Sequence, residues 1–165
     1  MNFIFDFDGT LADSSLGIYE AFKQSCIKNQ LSYPDLNSFK KIIGPPINKL
    51  IFKVFPNIGE PEKEKFIVNF RKEYDNNFYK KSKWYEGVVE TLNYLSNQDK
   101  NNLYIITNKP TEICIKLLEE SNLFKLFDTV IGIDYLLYLG ISEAKKFSDK
   151  SIAINYLISK KRLNK

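Results

Sequence analysis

The chain has 165 residues, the size of one domain or of one domain carrying an insertion. Hydrophobic content of 44% and charged content of 27% are ordinary for a soluble globular protein, and a net charge of +4 on scattered lysines shows no nucleic-acid footprint. There is no His, which removes Ser-His-Asp and Cys-His arrangements, most catalytic zinc sites and His acid–base catalysis. Any chemistry must therefore run on carboxylates, Lys, hydroxyls and a hard cation. Aromatic content of 15%, with 13 Phe and 10 Tyr, supplies large core side chains. Cys26 and Cys114 are too few and too far apart for a disulfide framework or zinc site, and read as small buried hydrophobes in a reducing compartment. No apolar stretch approaches the roughly 18 residues of a membrane span. No secretory signal is visible, so the expected location is cytoplasmic.

The first strand is expected from about Asn2 to Phe7. Asp13 or Ser14 can cap a helix running to about Asn29. Residues 30–39 read as a looser connection. Gly44-Pro45-Pro46 is a loop feeding a helix on which Ile47, Leu50, Ile51 and Val54 form one apolar face. Residues 62–81 read as a helix with Phe66, Phe70, Tyr74 and Phe78 four apart along one side. Residues 14–83 thus look all-helical. Beyond Trp84-Tyr85-Glu86-Gly87 the pattern alternates. A helix carries Val88, Leu92 and Leu95, and a strand Leu103–Ile106 ends in Thr107-Asn108-Lys109-Pro110. A helix follows over 111–121 and a strand over 129–133. Residues 134–148 give no clear pattern, and Lys150 opens a last helix with Ile154 and Leu157 inward. Strand–helix alternation at both ends predicts an α/β fold, a Rossmann-like parallel sheet core interrupted by a helical insertion.

The chemistry concentrates in Phe3-Ile4-Phe5-Asp6-Phe7-Asp8-Gly9-Thr10-Leu11. An apolar run ends in two acids two residues apart, which on a strand point the same way. For a bare Asp-x-Asp, solvated turn acids are the ordinary reading. The preceding apolar strand and the following Gly-Thr-Leu turn the balance, because burying two like charges so close is costly without a metal or a reaction. A calcium loop starting at Asp6 fails, since it needs Gly at Leu11 and Glu at Gly17. At Thr107, a hydroxyl at a strand end before a helix N-terminus reads as an anion site or as a plain β–α turn.

The segment Asp6-Phe7-Asp8-Gly9-Thr10-Leu11-Ala12-Asp13-Ser14 resembles the first motif of haloacid dehalogenase superfamily phosphatases, and most of all their phosphoglycolate phosphatase-like branch. The resemblance implies that Asp6 is the nucleophile forming an aspartyl-phosphate. It implies that Asp8 is the general acid/base and lends a backbone carbonyl to Mg²⁺. Metal ligands are then Asp6 and the Asp8 carbonyl, with Mg²⁺ as cofactor. Ile105-Ile106-Thr107-Asn108-Lys109-Pro110 resembles the second motif, making Thr107 and Asn108 phosphate-binding. Lys150, in Asp149-Lys150-Ser151-Ile152, resembles the third-motif Lys, with Lys145, Lys146 and Lys109 as competitors. The resemblance divides the chain into an α/β core of residues 1–13 and 86–165 and a helical cap of residues 14–85. Gly44, Pro45 and Pro46 then form a substrate-facing loop, and Lys49 and Arg71 are candidate anion contacts in the cap.

The superfamily's fourth motif, a Gly-Asp-x-x-x-Asp acidic pair completing the Mg²⁺ shell, has no counterpart here. The 15 residues after Lys150 contain no Asp or Glu. The expectation is a core without its C-terminal strands, Asn2–Phe7 at a sheet edge, weak Mg²⁺ affinity and little or no turnover for this chain alone. Asp134 and Asp149 are the acids left as substitutes. The functional expectation is a phosphatase acting on a small phosphorylated metabolite (phosphoglycolate-like or a nucleotide), with no nucleic-acid or membrane partner. The alternative is a non-catalytic remnant or interaction domain, with a partner chain or self-association at the exposed edge. A sugar-phosphate mutase shares the nucleophile, but nothing marks a sugar-binding cap.

Overall fold

The computed structural model describes residues 1–140 and 150–161. In chain order the elements are β1 (Asn2–Phe5), β2 (Ala12–Asp13), α1 (Ser15–Lys28), α2 (Leu36–Lys40), α3 (Ile47–Val54), α4 (Glu60–Glu73), β3 (Lys83–Trp84), α5 (Val88–Ser96), β4 (Asn102–Ile106), α6 (Thr111–Glu120), β5 (Thr129–Ile131), α7 (Tyr135–Tyr138) and α8 (Lys150–Lys161). The chain divides into two compact units, Met1–Ala12 with Trp84–Lys165, and Asp13–Lys83. Among the described residues no helix is long and apolar enough to cross a membrane.

The first unit is α/β. Its parallel sheet has the order β1-β4-β5, with Phe3 opposite Leu103, Phe5 opposite Ile105 and Ile105 opposite Val130. Central β4 is apolar without alternation (Leu103, Tyr104, Ile105 and Ile106 are all buried), as a strand covered on both faces must be. Tyr104, Ile106 and Ile131 pack with Ala153 and Leu157 of α8, and Ile154 lies against them. Among the described residues β1 is the edge strand, and its Ile4 is 41% exposed.

The predicted strand through Phe7 is corrected here, because β1 ends at Phe5. The backbone then closes a tight turn in which the Phe7 carbonyl accepts from the N–H groups of Thr10, Leu11 and Ala12 at 3.3, 2.9 and 3.1 Å. Gly9, at φ +80°, supplies the left-handed residue the turn needs. Asp6 and Asp8 therefore stand on the loop beyond the strand, not on it.

The second unit is helical, but the pattern differs from the sequence reading in two places. Residues 30–39 are not wholly loose, because the Asp35 carboxylate accepts from Asn37 N–H and Ser38 N–H and caps the short α2. Nor do residues 62–81 form one helix. After α4 a π turn spans Tyr74–Phe78, with Tyr79 N–H donating to Tyr74 O, and a 3₁₀ turn covers Tyr79–Lys81. The π turn inserts one residue into the four-residue spacing. Phe66, Phe70 and Tyr74 are buried as expected, but the next buried ring is Tyr79 rather than Phe78. The unit's core is aromatic. Phe22, fully buried, has Phe39 at 4.8 Å, Phe66 at 5.0 Å and Phe55 at 6.2 Å between ring centroids.

Gly17, inside α1, is there for close approach. A Cβ added to it would lie 2.3 Å from the Phe78 carbonyl oxygen. Ala is ordinarily better than Gly in a helix by about 1 kcal/mol. Here Gly17→Ala should instead destabilise by about 1–3 kcal/mol, since backbone must move. Urea unfolding followed by circular dichroism tests this, and an unchanged or higher midpoint contradicts it. The same unit should respond to acid. The Lys28 ammonium, and secondarily the Asn77 amide, hold the Glu73 carboxyl below its ordinary value near 4.5. A depressed carboxyl contributes stability above its unfolded value and loses it as pH falls through the folded one. Stability should therefore drop below about pH 4.5, and Lys28→Met should flatten that acid limb, read from midpoints between pH 3 and 7.

Candidate active site

The site is built at one end of the parallel sheet in the first unit. Because Phe5 pairs with Ile105, the residues that follow each strand emerge side by side. The ends of parallel strands are where α/β folds place their ligand crevice. Asp6 leaves β1 with one carboxylate oxygen accepting from Phe7 N–H at 2.8 Å and the other 2.5 Å from Lys150 Nζ, at the start of α8. Lys150 also lines a small depression with Ile106, Thr107, Asn108, Gly132, Ile133 and Ala153. Asp6, Thr107, Asn108 and Lys150 are thus one cluster, although they come from three stretches of sequence.

The loop after β4 is held rigidly. Thr107 is buried, its N–H donating to Ile131 O at 2.9 Å and its hydroxyl accepting from Lys109 N–H at 3.2 Å. Asp134 grips the start of α6, accepting from Thr111 N–H at 2.8 Å and from the Thr111 hydroxyl at 2.9 Å. Gly132 N–H donates to the same hydroxyl at 3.1 Å. Gly132 must be small, since a Cβ there would meet Thr111 N at 2.4 Å and Lys109 O at 2.5 Å. Asp134 is therefore committed to capping α6. The sequence reading left it only as a substitute acid, and nothing in its local pattern announces a cap for a helix 23 residues earlier.

Asp8 pairs elsewhere. Its Oδ1 lies 3.0 Å from Lys109 Nζ. Lys109 is only 4% exposed, and its ammonium sits 5.4 Å from the centroid of the buried Phe7 ring. In sequence Lys109 was merely a competitor for the Lys150 role. Its burial is invisible locally, since a Lys in a β–α turn is ordinarily solvated. Cys114, fully buried on α6, feels the charges of Lys109, Asp8 and Asp6, but burial dominates and pushes its thiol well up. Burial likewise pushes Cys26 up to about 12, so neither is a reactive thiolate. Gly44, Pro45 and Pro46 lie in the other unit, with Gly44 at φ +131° and Pro46 capping α3. Lys49 and Arg71 also belong to that unit, where Arg71 is 3.7 Å from Asp75. Lys145, Lys146 and Asp149 lie outside the described residues.

Among the described residues no three His, Cys, Asp or Glu side chains gather as a metal cluster. The Asp6 carboxylate and the Asp8 backbone carbonyl are nevertheless hard oxygen donors. Mg²⁺ keeps several waters and typically takes one or two protein carboxylates plus substrate phosphate oxygens. These two oxygens suit Mg²⁺ in kind but supply only part of the shell the family resemblance implies, since no further acid joins them among the described residues.

Residues 3–137 match the family model described as haloacid dehalogenase-like hydrolase, and the chain belongs to that family. Within it, the chain is 32% identical over 133 residues to a phosphoglycolate phosphatase of Aquifex aeolicus, covering 79% of this chain and 60% of that protein. It is 30% identical over 135 residues to the pyrophosphatase PpaX of Halalkalibacterium halodurans, covering 79% of this chain and 59% of that one. The chain thus spans about three fifths of the length of these curated relatives. A crystal structure of a protein described as a predicted phosphatase from Clostridium acetobutylicum superposes with a TM-score of 0.82 at 28% identity, covering 99% of this chain and 71% of that chain.

Removing the Asp134 carboxylate strands the Thr111 N–H and hydroxyl beneath the loop. Asp134→Ala should lower stability by about 1–3 kcal/mol, with Asp134→Asn intermediate because the amide oxygen still accepts. Equal urea midpoints for wild type and Asp134→Ala would contradict the capping role.

Proposed function

We propose that this chain is a Mg²⁺-dependent phosphomonoesterase working through an aspartyl-phosphate on Asp6. The observation that carries the proposal is the Asp6–Lys150 ion pair standing beside the Thr107–Asn108 loop. A carboxylate approaching a phosphate ester is opposed by like charge, about 4 kcal/mol per pair of unit charges at 4 Å where the effective dielectric is near 20. The Lys150 ammonium offsets part of that repulsion. The reading assigns the phosphoryl oxygens to the Thr107 hydroxyl and the Asn108 N–H, residues that line the same depression as Lys150.

In the first step an Asp6 oxygen bonds to phosphorus in line as the ester P–O bond breaks, and Asp8 gives its proton to the departing oxygen. In the second, Asp8 takes a proton from water, whose oxygen attacks phosphorus, releasing phosphate and restoring Asp6. Mg²⁺, held by Asp6 and the Asp8 carbonyl, supplies charge neutralisation on the phosphoryl oxygens when bound. The relatives' names favour a small anionic phosphate, phosphoglycolate first and pyrophosphate or a nucleotide next. The buried, unpaired cysteines favour a reducing, cytoplasmic setting.

A second reading has one observation in its favour. Among the described residues β1 is a sheet edge with exposed Ile4, able to pair with a strand of a partner chain or a second copy. The two readings separate in one experiment. Purified chain with Mg²⁺ and 2-phosphoglycolate or p-nitrophenyl phosphate should release phosphate only slowly, well below the rate of a full-length relative, and Asp6→Asn should abolish that release with the fold retained by circular dichroism. Unchanged turnover in Asp6→Asn refutes the nucleophile. A folded, inactive chain that elutes as a complex favours the second reading.

A further inference from the structure

We propose that Lys109 is the positioning residue that fixes the Asp8 carboxylate for proton transfer. The inference rests on the phosphatase reading and adds to it a residue that works through Asp8. Asp8 Oδ1 is buried and has no well-directed hydrogen bond, which for a carboxylate oxygen costs about 1–3 kcal/mol or more. What the structure sets against it is the Lys109 ammonium at 3.0 Å. That ammonium is itself fixed. Lys109 is only 4% exposed, its Nζ lies 5.4 Å from the Phe7 ring centroid, and its backbone N–H donates to Thr107.

A long, mobile cation has been taken out of water and pinned between a ring and an acid. Burying a Lys is justified only where its partner needs a charge at a defined point. Phe7 and Asp8 stand on the β1 loop, while Lys109 and Thr107 stand on the β4 loop. The ion pair therefore ties the acid/base loop to the phosphate loop. With Oδ1 held, Oδ2 is the oxygen left to carry the proton that passes to the leaving oxygen as the P–O bond breaks.

The leaving group provides the test. A p-nitrophenolate departs without a proton, whereas an alkoxide needs one. Lys109→Met, nearly isosteric and uncharged, should lose about 100-fold in kcat on 2-phosphoglycolate but within about fivefold on p-nitrophenyl phosphate. Lys109→Arg, which keeps the charge, should recover most of the difference. Equal losses on both esters would overturn the proposal, since a merely structural role does not sense the leaving group. Should Lys109→Met fail to fold, Lys109→Arg carries the comparison, with a smaller loss again confined to the alkyl ester. Should the wild type hydrolyse neither ester, the phosphatase reading fails, and crystal structures of the Lys109 variants decide the positioning role. An Asp8 side chain displaced from its wild-type rotamer supports the role, and one left in place overturns it.

Discussion

Everything at the candidate site depends on the parallel pairing of β1 with β4. Phe3 lies opposite Leu103 and Phe5 opposite Ile105, so both strands end at one level of the sheet. The residues released there are acids from the first strand and a hydroxyl, an amide and a lysine from the second. Parallel neighbours require a long crossover, and here that crossover carries the whole helical unit. The insertion lengthens the path between the loops without altering the register that aligns them. Loop closure grows only slowly with length, which makes such an arrangement thermodynamically tolerable.

The charges are arranged as two separate pairs rather than as one acidic cluster. Asp6 meets Lys150 and Asp8 meets Lys109. Two carboxylates so close in sequence repel one another, and giving each its own ammonium from a different element offsets that repulsion. The two pairs differ in environment. Lys150 is partly exposed at the start of α8, whereas Lys109 is buried against Phe7. An exposed cation can exchange one anionic partner for another, while a buried one holds its partner still. The Gly132–Thr111–Asp134 network beneath them contributes rigidity to the loop instead of charge.

Packing accounts for where local patterns and folded structure part. The apolar run of β4 and the faces of α3 and α8 could be read directly, because burial on one side writes a period into the chain. The π turn at Tyr74–Phe78 could not, since the four-residue aromatic spacing continues through Phe78 and only the packing shows that Tyr79 is the next ring inward. The cap of α2 is legible in Asp35, a residue type that favours helix N-caps. For the site, Asp6, Asp8 and Thr107 stood out by residue type and position, while Asn108 and Lys150 followed from the family resemblance. Lys109 and Asp134 did not, because their significance lies in what reaches them from elsewhere in the chain.

The sequence by itself determined an α/β fold with a helical insertion, the acids that close the opening strand and the hydroxyl that closes β4. Those features are local, being strand-forming runs that end in polar residues. Tertiary structure alone decided that β1 stops at Phe5 and which lysine meets which aspartate. It also decided that Lys109 is buried and that Asp134 caps α6. These are contacts between residues far apart along the chain, set by strand register and side-chain packing, and no local pattern encodes them.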